Sequence, residues 1–439
     1  MKRLYFAIAN KFFKPELTAQ DNFLFYRGIK KSLLVQGFSF FFVFVTSLLL
    51  VKTAGVTNYG IYVNIFNWVN VLAMISCFGM EDVVLAKIPV YVRQNKKTAI
   101  FNLVLTANKI IFFVSLFSSL VFILIVFSGF VPAFDQYKYL MLLAMINVYL
   151  SAFIIVNQQT LQAFNRFFAS QAIDKILKPV LLILLLSSFW LADVNINARV
   201  LIIFNAVVLA ICAVVVLFFL KNTLEKLPGE KNLAAEKTKL FGQNGYFLLI
   251  SLLVLLKSKI SMLILGSYNE TDSVGILNIT YRLSDFVLLP YLLIHAVVPQ
   301  LFSSHAQSDV GYRKRLFHKS NLFIAGATLP IILFFVILGK PVLRFYDENL
   351  GQYFPILLIL CGSQFLYALF GPSSALLMMQ GKQRQAAFAM LFDIVFNCIL
   401  FFLLIDWLGL VGVALASFFG SLFYNIFLRI LVNKHLSEK

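Results

Sequence analysis

Long apolar runs recur along the whole chain, and they constrain its fold more than any other feature. Twelve of them come close to the length of about 20 residues that an α-helix needs to cross a bilayer. Charged residues make up only 13% of the chain, against about 25% in soluble domains. The sequence therefore predicts an all-α integral membrane protein with about twelve transmembrane helices. The runs are residues 32–52, 60–80, 101–127, 139–160, 170–192, 198–220, 242–266, 275–302, 317–338, 354–379, 385–405 and 409–431.

The basic residues predict how these helices are oriented. Of the 37 lysines and arginines, 28 fall in the termini and in the loops on one side of the predicted membrane, and 5 fall in the loops on the other side. Because cytoplasmic loops carry an excess of basic residues, we expect both termini to be cytoplasmic. The same bias accounts for the net charge of +18, so we expect no nucleic-acid partner.

A charged segment divides the predicted helices into two lobes of six. Residues 221–240 alternate Lys and Glu around a Pro-Gly pair, a pattern typical of a solvated linker. The prediction is a cytoplasmic N-terminal segment, an N-terminal lobe, a cytoplasmic linker, a C-terminal lobe and a cytoplasmic tail. These five parts are residues 1–31, 32–220, 221–240, 241–433 and 434–439.

Short matches between the two halves indicate an internal repeat. Residues 59–61 read Tyr-Gly-Ile and residues 274–276 read Val-Gly-Ile, an offset of 215. A similar offset of 218 relates Gln162, Arg166 and Ala169 to Gln380, Arg384 and Ala387. Six helices is an even number, so both halves share one orientation, and the repeat axis is expected to run along the membrane normal. Transporters built in this way commonly bind substrate between their repeats.

Four basic residues lie inside predicted helices: Lys109, Lys257, Lys259 and Arg282. Each costs about 3 kcal/mol at bilayer depth, so a functional reason for keeping them is expected. Lys257 and Lys259 lie in one helix of a predicted hairpin and Arg282 lies in the next, at similar depth. These residues are candidates for binding an anionic group. The alternatives are snorkelling of Lys109 and an ion pair between Arg282 and Asp285.

Five other polar residues in predicted helices are candidates for further roles. Asp285 and Asp393 are candidates for binding a coupling cation or a proton, or for forming an internal ion pair. Asn64, Asn67 and Asn70 recur every three residues along one helix. Their amides suit the recognition of sugars, and they equally suit hydrogen bonding between packed helices.

No pattern in the sequence indicates an enzyme. There is no P-loop, no GxSxG motif and no histidine cluster with metal-ligand spacing. The four cysteines lie in apolar helices without CxxC spacing, so neither a disulfide framework nor a zinc site is indicated. We therefore expect no catalytic residue, no metal and no cofactor.

Several short motifs resemble bacterial polysaccharide flippases of the Wzx type, within the superfamily that includes MATE exporters and lipid II flippases. The resemblance extends over essentially the whole chain. It is carried by residues 53–60 (TAGVTNYG), 78–81 (FGME), Gly275 with 281–283 (YRL), 380–384 (QGKQR) and 409–414 (GLVGVA).

The resemblance implies a MATE-like, two-lobed transporter that moves a polyprenyl-pyrophosphate-linked oligosaccharide across the bacterial inner membrane by alternating access. It places the pyrophosphate on Arg282, Lys257, Lys259 and Lys109, and it implies membrane lipid and other polysaccharide-assembly proteins as partners. The chain has twelve predicted helices where lipid II flippases have two more, which weighs against a peptidoglycan precursor as substrate. Two alternatives stay open at this point: a MATE-like exporter of cationic compounds and a membrane glycan polymerase or ligase.

Overall fold

Every regular element in the described part of the chain is a helix. A computed structural model describes residues 19–129, 131–192, 194, 196–225, 241–268, 270–294, 310–370 and 383–437. The predicted N-terminal segment up to residue 18, most of the predicted linker and the last two residues lie outside these ranges. The helices are α1 Ala19–Cys77, α2 Met80–Arg93, α3 Lys97–Phe127, α4 Lys138–Ala144, α5 Ile146–Ala163, α6 Phe167–Ala172, α7 Lys178–Leu191, α8 Ala198–Glu225, α9 Phe241–Ser267, α10 Thr271–Ser284, α11 Val310–Tyr346, α12 Phe354–Leu369 and α13 Gln383–Ser437.

Within the described residues, seven helices are long and apolar enough to cross a membrane, and one bent helix pair brings the number to eight. Two of the seven are of double length: Gln36–Cys77 has 42 residues and Ala387–Leu431 has 45. Each is broken by a glycine, Gly55 at φ 75° and Gly409 at φ 54°, a left-handed conformation that glycine adopts without steric cost. Each double-length helix therefore covers two predicted spans. The all-α membrane class is confirmed, whereas twelve spans and cytoplasmic termini stay predictions.

Prolines explain two further interruptions. A π-helical turn at Ile173–Leu177 precedes Pro179, and a 3₁₀ turn at Asp285–Leu288 precedes Pro290. Proline has no N–H to donate to the carbonyl four residues earlier, so regular α-helical bonding fails just before it. The predicted helices 170–192 and 275–302 are therefore interrupted inside their spans, where π turns are frequent at functional positions.

The chain forms two compact units. The first is Phe41–Ile279, called here the 41–279 unit, and the second joins Met1–Phe40 to Thr280–Lys439, called the 280–439 unit. In the 41–279 unit, α2, α3, α5 and α8 pack around buried residues that include Met80, Ile88, Leu103, Leu161 and Val216. In the 280–439 unit, α12 packs against α11 and α13, with Phe335, Leu357, Leu360, Phe401 and Val413 buried. The predicted lobes 32–220 and 241–433 stay predictions.

Two glycines of the predicted repeat meet inside the 41–279 unit. A Cβ added to Gly275 of α10 would lie 3.1 Å from Cα of Gly60 and 2.9 Å from the carbonyl oxygen of Val56, both in α1. A Cβ added to Gly60 would overlap the carbonyl of Thr271. The two helices therefore cross backbone against backbone, and only glycine fits at the crossing.

Candidate functional site

Arg282 lies in the last turn of α10, half-buried, within the candidate span Thr271–Ile294. Asp285 lies three residues further on, where the chain leaves the α-helix for a 3₁₀ turn. Oδ1 of Asp285 accepts a hydrogen bond of 2.9 Å from Nε2 of Gln364 in α12. Within the described ranges, Arg282 forms no ion pair with Asp285 or with any other acidic residue. Its guanidinium charge is therefore not balanced by a described carboxylate.

Lys257 and Lys259 belong to α9, in the 41–279 unit. Both are half-buried, and the ammonium nitrogen of Lys257 is excluded from solvent. Ser258 between them is exposed. Because residues two apart in a helix point about 200° from each other, the two lysines leave α9 on different sides. Lys257 is therefore the more secluded of the two cations.

Lys109 lies on the exposed face of α3. Its neighbours along this face are exposed apolar side chains: Leu105, Phe112, Phe113 and Leu116. Such a face is typical of contact with lipid tails, and a long lysine side chain can carry its charge along it to the interface. The placement of Lys109 agrees with the snorkelling alternative.

Two residues of the asparagine stripe are used in helix packing. Asn64 is 1% exposed and Asn67 is 2% exposed. The side chain of Asn64 lies against Gly266 of α9. Nδ2 of Asn67 donates to the sulfur of Met262, also in α9, at 3.6 Å. For these two residues the packing alternative agrees with the geometry.

Asn70, the third residue of the stripe, lines a cavity of about 210 Å³ inside the 41–279 unit. Asp174, within the π turn, and Lys178, directly after it, also line the cavity, and Gln158 lines it from α5. Nε2 of Gln158 is buried and has no hydrogen-bond partner within the described residues. The cavity therefore has a polar wall with unused hydrogen-bonding capacity. The remaining lining residues are Ser151, Ile154, Ile155, Ile173, Leu209 and Cys212.

Sequence reasoning did not single out Asp174 or Gln158 as site residues. A regular helix also places Asp174 and Lys178, four residues apart, on one face, but the sequence does not show that this face lines a cavity. The available signal was local. Two lysines and an aspartate stand just before Pro179 in an otherwise apolar helix, where a break in regular bonding is expected.

Asp393 is buried in α13 of the 280–439 unit and is 1% exposed. Nδ2 of Asn397, one helical turn further on, donates to its Oδ1 at 3.3 Å. The hydroxyl groups of Tyr367 and Tyr424 lie close enough to Asp393 to interact with its charge. These groups form a secluded polar cluster of a kind that binds a proton or a cation. Among the described residues, no group of three or more side chains has the arrangement of a metal site.

Comparison with known proteins gives one family match. The family described as "Polysaccharide biosynthesis protein" matches residues 25–305, more than half of the chain. A sequence search of curated proteins found no match.

Solved structures of similar fold cover nearly the whole chain. An inward-facing multidrug resistance MATE family transporter of the MOP superfamily has a TM-score of 0.71 at 14% identity, covering 93% of this chain and 95% of its own. The lipid II flippase MurJ, in an inward closed conformation, has a TM-score of 0.65 at 15% identity, covering 92% and 87%. A MOP superfamily transporter from Pyrococcus furiosus, described as having a binding pocket of reverse polarity, has a TM-score of 0.62 at 13% identity, covering 94% and 95%. The predicted likeness to MATE and lipid II flippase folds is confirmed.

Proposed function

Because this chain belongs to the polysaccharide biosynthesis protein family, we propose that it is a flippase for a polyprenyl-pyrophosphate-linked oligosaccharide. The cargo is a repeat unit of O-antigen or of another surface polysaccharide, and it moves across the bacterial inner membrane by alternating access. The fold shared with MATE transporters and MurJ supports a transport role rather than an enzymatic one. Its other partners are membrane lipid and further polysaccharide-assembly proteins.

The observation that carries this proposal is the environment of Arg282. A half-buried guanidinium lies within a candidate membrane span, and no described carboxylate forms an ion pair with it. Keeping a charge at membrane depth is costly, and an anionic cargo would offset that cost. The planar fork of arginine binds phosphate oxygens in a bidentate manner. We assign Arg282 as the first contact of the pyrophosphate.

Lysines on α9 are assigned supporting roles. The ammonium of Lys257 is secluded from solvent, so a phosphate contact made there is weakened little by water. Lys259 points to a different side of the helix and is the weaker candidate. Lys109 stays in the predicted set, but its exposed apolar surroundings support an interfacial role.

The sugars of the cargo are assigned to Asn70 and the cavity that it lines. Amide, carboxylate, ammonium and hydroxyl groups among the lining residues offer both donors and acceptors for sugar hydroxyls. Asn64 and Asn67 are already engaged in packing against α9, so they are weaker candidates for direct contact.

Asp393 is the better of the two predicted coupling residues. Asp285 already accepts a hydrogen bond from Gln364, which supports a structural role for that carboxylate. Asp393 is more deeply buried and is surrounded by an amide and two phenols. We propose that it binds the ion whose gradient drives transport.

The test is reconstitution of the purified protein into lipid vesicles with a fluorescent polyprenyl-pyrophosphate oligosaccharide. Wild type should expose the lipid on the opposite leaflet. Arg282→Gln should slow this by about ten- to a hundredfold, because charge-assisted hydrogen bonds to phosphate are lost. The translocation rate of Arg282→Lys should lie between those of wild type and Arg282→Gln, because lysine keeps the positive charge but cannot form the bidentate contact of a guanidinium. Arg199→Gln, at an exposed position at the start of α8, is the matched control.

Two outcomes would contradict the proposal. One is wild-type translocation by stable Arg282→Gln protein, which would remove Arg282 from the site. The other is expulsion of a cationic dye by vesicles in which the glycan lipid does not move, which would favour the exporter alternative.

A further inference from the structure

A sharp break separates α1 from α2. The first helix ends at Cys77, the second begins at Met80, and Phe78 and Gly79 between them have φ of 49° and 71°. A positive φ is uncommon for a bulky residue such as Phe, and strained backbone of this kind persists where the surrounding structure holds it in place. The break is thus a defined part of the backbone that the packing of the 41–279 unit holds in place.

Glu81, the second residue of α2, is buried directly after this break. It is 5% exposed, and its neighbours in the chain, Cys77, Met80 and Val84, all belong to the hydrophobic core. Neither carboxylate oxygen has a hydrogen-bond partner within the described residues, and no basic residue there forms an ion pair with Glu81. A permanently ionised carboxylate in such a place would be strongly destabilising.

The groups that face Glu81 come from several helices. Asp82 is its neighbour on α2, and Cys77 of α1 lies close enough to sense its charge. Ser251 of α9 donates to Oδ2 of Asp82 at 3.4 Å and also acts on Glu81. Helix α5 contributes no charged residue, and α3 and α9 contribute only lysines, none of which forms an ion pair with Glu81 within the described ranges.

The pKa of Glu81 is raised to about 7. Burial is the largest cause, the negative charge of Asp82 also raises the pKa, and Ser251 acts to lower it. Burial also raises the pKa of Asp82, again opposed by the hydrogen bond from Ser251. Both carboxylates lie outside the candidate spans Gln36–Cys77 and Lys97–Phe127. Glu81 therefore exchanges its proton in the physiological range.

We propose that Glu81 is a proton-binding site, and that its loading and release change the packing at the Phe78–Gly79 break. With a proton on one carboxylate oxygen, Glu81 is neutral and fits the apolar core. When that O–H bond breaks and the proton passes to water, the new anion needs water or a cation, which only opening of the break can admit. That the proton drives glycan translocation rests on the proposed flippase function; the binding site itself does not.

The site is tested by infrared difference spectroscopy of the full-length protein in detergent across a pH titration. A protonated carboxyl group has its own carbonyl stretching band, and we expect one to titrate near neutral pH and to vanish in Glu81→Gln. Asp82→Asn should move the midpoint to lower pH, because a repelling charge is lost. Ser251→Ala should move it to higher pH, because the Ser251 hydroxyl, which acts to lower the pKa of Glu81, is lost. Glu225→Gln, at an exposed position, is the control.

Absence of the band in wild type, or its persistence in folded Glu81→Gln protein, would overturn the proposal. If Glu81→Gln does not fold, midpoints that do not move in Asp82→Asn and Ser251→Ala overturn it equally. In vesicles, an imposed pH gradient should accelerate translocation by wild type and not by Glu81→Gln. If wild type moves no glycan lipid under any gradient, the flippase function fails while the infrared result still decides the site.

Discussion

The phenol of Tyr59 donates a hydrogen bond of 2.6 Å to Oδ1 of Asn278, across the crossing of α1 and α10. Both residues are buried, and Nδ2 of Asn278 in turn donates to the sulfur of Met262 in α9 at 3.3 Å. Three helices of the 41–279 unit are thus joined by one chain of polar contacts. Because these groups are cut off from water, each depends on its partner.

Tyr59→Phe tests this link. Removal of the hydroxyl leaves Oδ1 of Asn278 buried without its donor, which should cost about 1–3 kcal/mol of stability. We expect a lower thermal unfolding midpoint in detergent. Tyr268→Phe, where the tyrosine is 48% exposed, should leave the midpoint unchanged. An equal effect of both substitutions would show that the hydrogen bond contributes nothing.

Gly275→Ala tests the helix crossing. The new methyl group would press on the backbone of Gly60 and Val56, neither of which can rotate away, and the expected cost is about 1–3 kcal/mol. Gly326→Ala in α11 is the matched control, because nothing lies within 4 Å of its added Cβ. Alanine is also the better helix former, so Gly326→Ala should be neutral or stabilising. Thermal unfolding of the two variants compares a tight helical glycine with an open one.

The dependence of stability on pH tests the burial of Glu81. The pKa of Glu81 is about 7 in the folded protein, whereas the ordinary value for a glutamate is 4.5, so the folded state binds the proton more strongly than the unfolded state. The contribution of Glu81 to the free energy of unfolding is therefore fully present below about pH 4.5. It decreases by about 3 kcal/mol in total as the pH rises to about 7, and it is constant above that pH. The Glu81→Gln protein has no carboxyl group to ionise at this position, so its stability relative to wild type should rise between about pH 4.5 and about pH 7. A constant difference across this range would contradict the assignment.

Two lysine variants separate a buried cation from an exposed one. Lys257→Gln should slow glycan translocation by about tenfold or more, since a secluded ammonium contact to phosphate is lost. Lys109→Gln should translocate close to the wild-type rate, because Lys109 lies among exposed Leu and Phe side chains on α3. The vesicle assay measures both. A severe defect in Lys109→Gln protein of normal abundance would return Lys109 to the phosphate site.

Helix spans were predictable because the membrane imposes a length on apolar runs, and the runs around residues 101–127 and 198–220 correspond to α3 and α8. Breaks inside spans were harder to predict. The breaks at Gly55 and Gly409 fall at boundaries between predicted runs, whereas the π turn before Pro179 and the 3₁₀ turn before Pro290 lie inside the apolar runs 170–192 and 275–302, where hydropathy shows no gap.

Site residues were predictable only as charges at membrane depth. Sequence alone located Arg282 within a span, but its relation to Asp285 depends on the 3₁₀ turn and on Gln364, which is 79 residues away. Glu81 belongs to the motif at residues 78–81, yet its burial follows from packing around the Phe78–Gly79 break. Such tertiary context leaves no periodic trace in the sequence.

The meeting of Gly60 with Gly275 has a consequence for the history of the chain. Gly60 and Gly275 occupy matching positions of the predicted repeat, so each of them contacts the equivalent glycine of the other half. In a chain of one repeat length, the same contact would be made by a single glycine with its copy across a two-fold axis, as in an isologous dimer. A gene duplication would then have fused the two subunits of an ancestral homodimer and kept its interface at the glycine crossing.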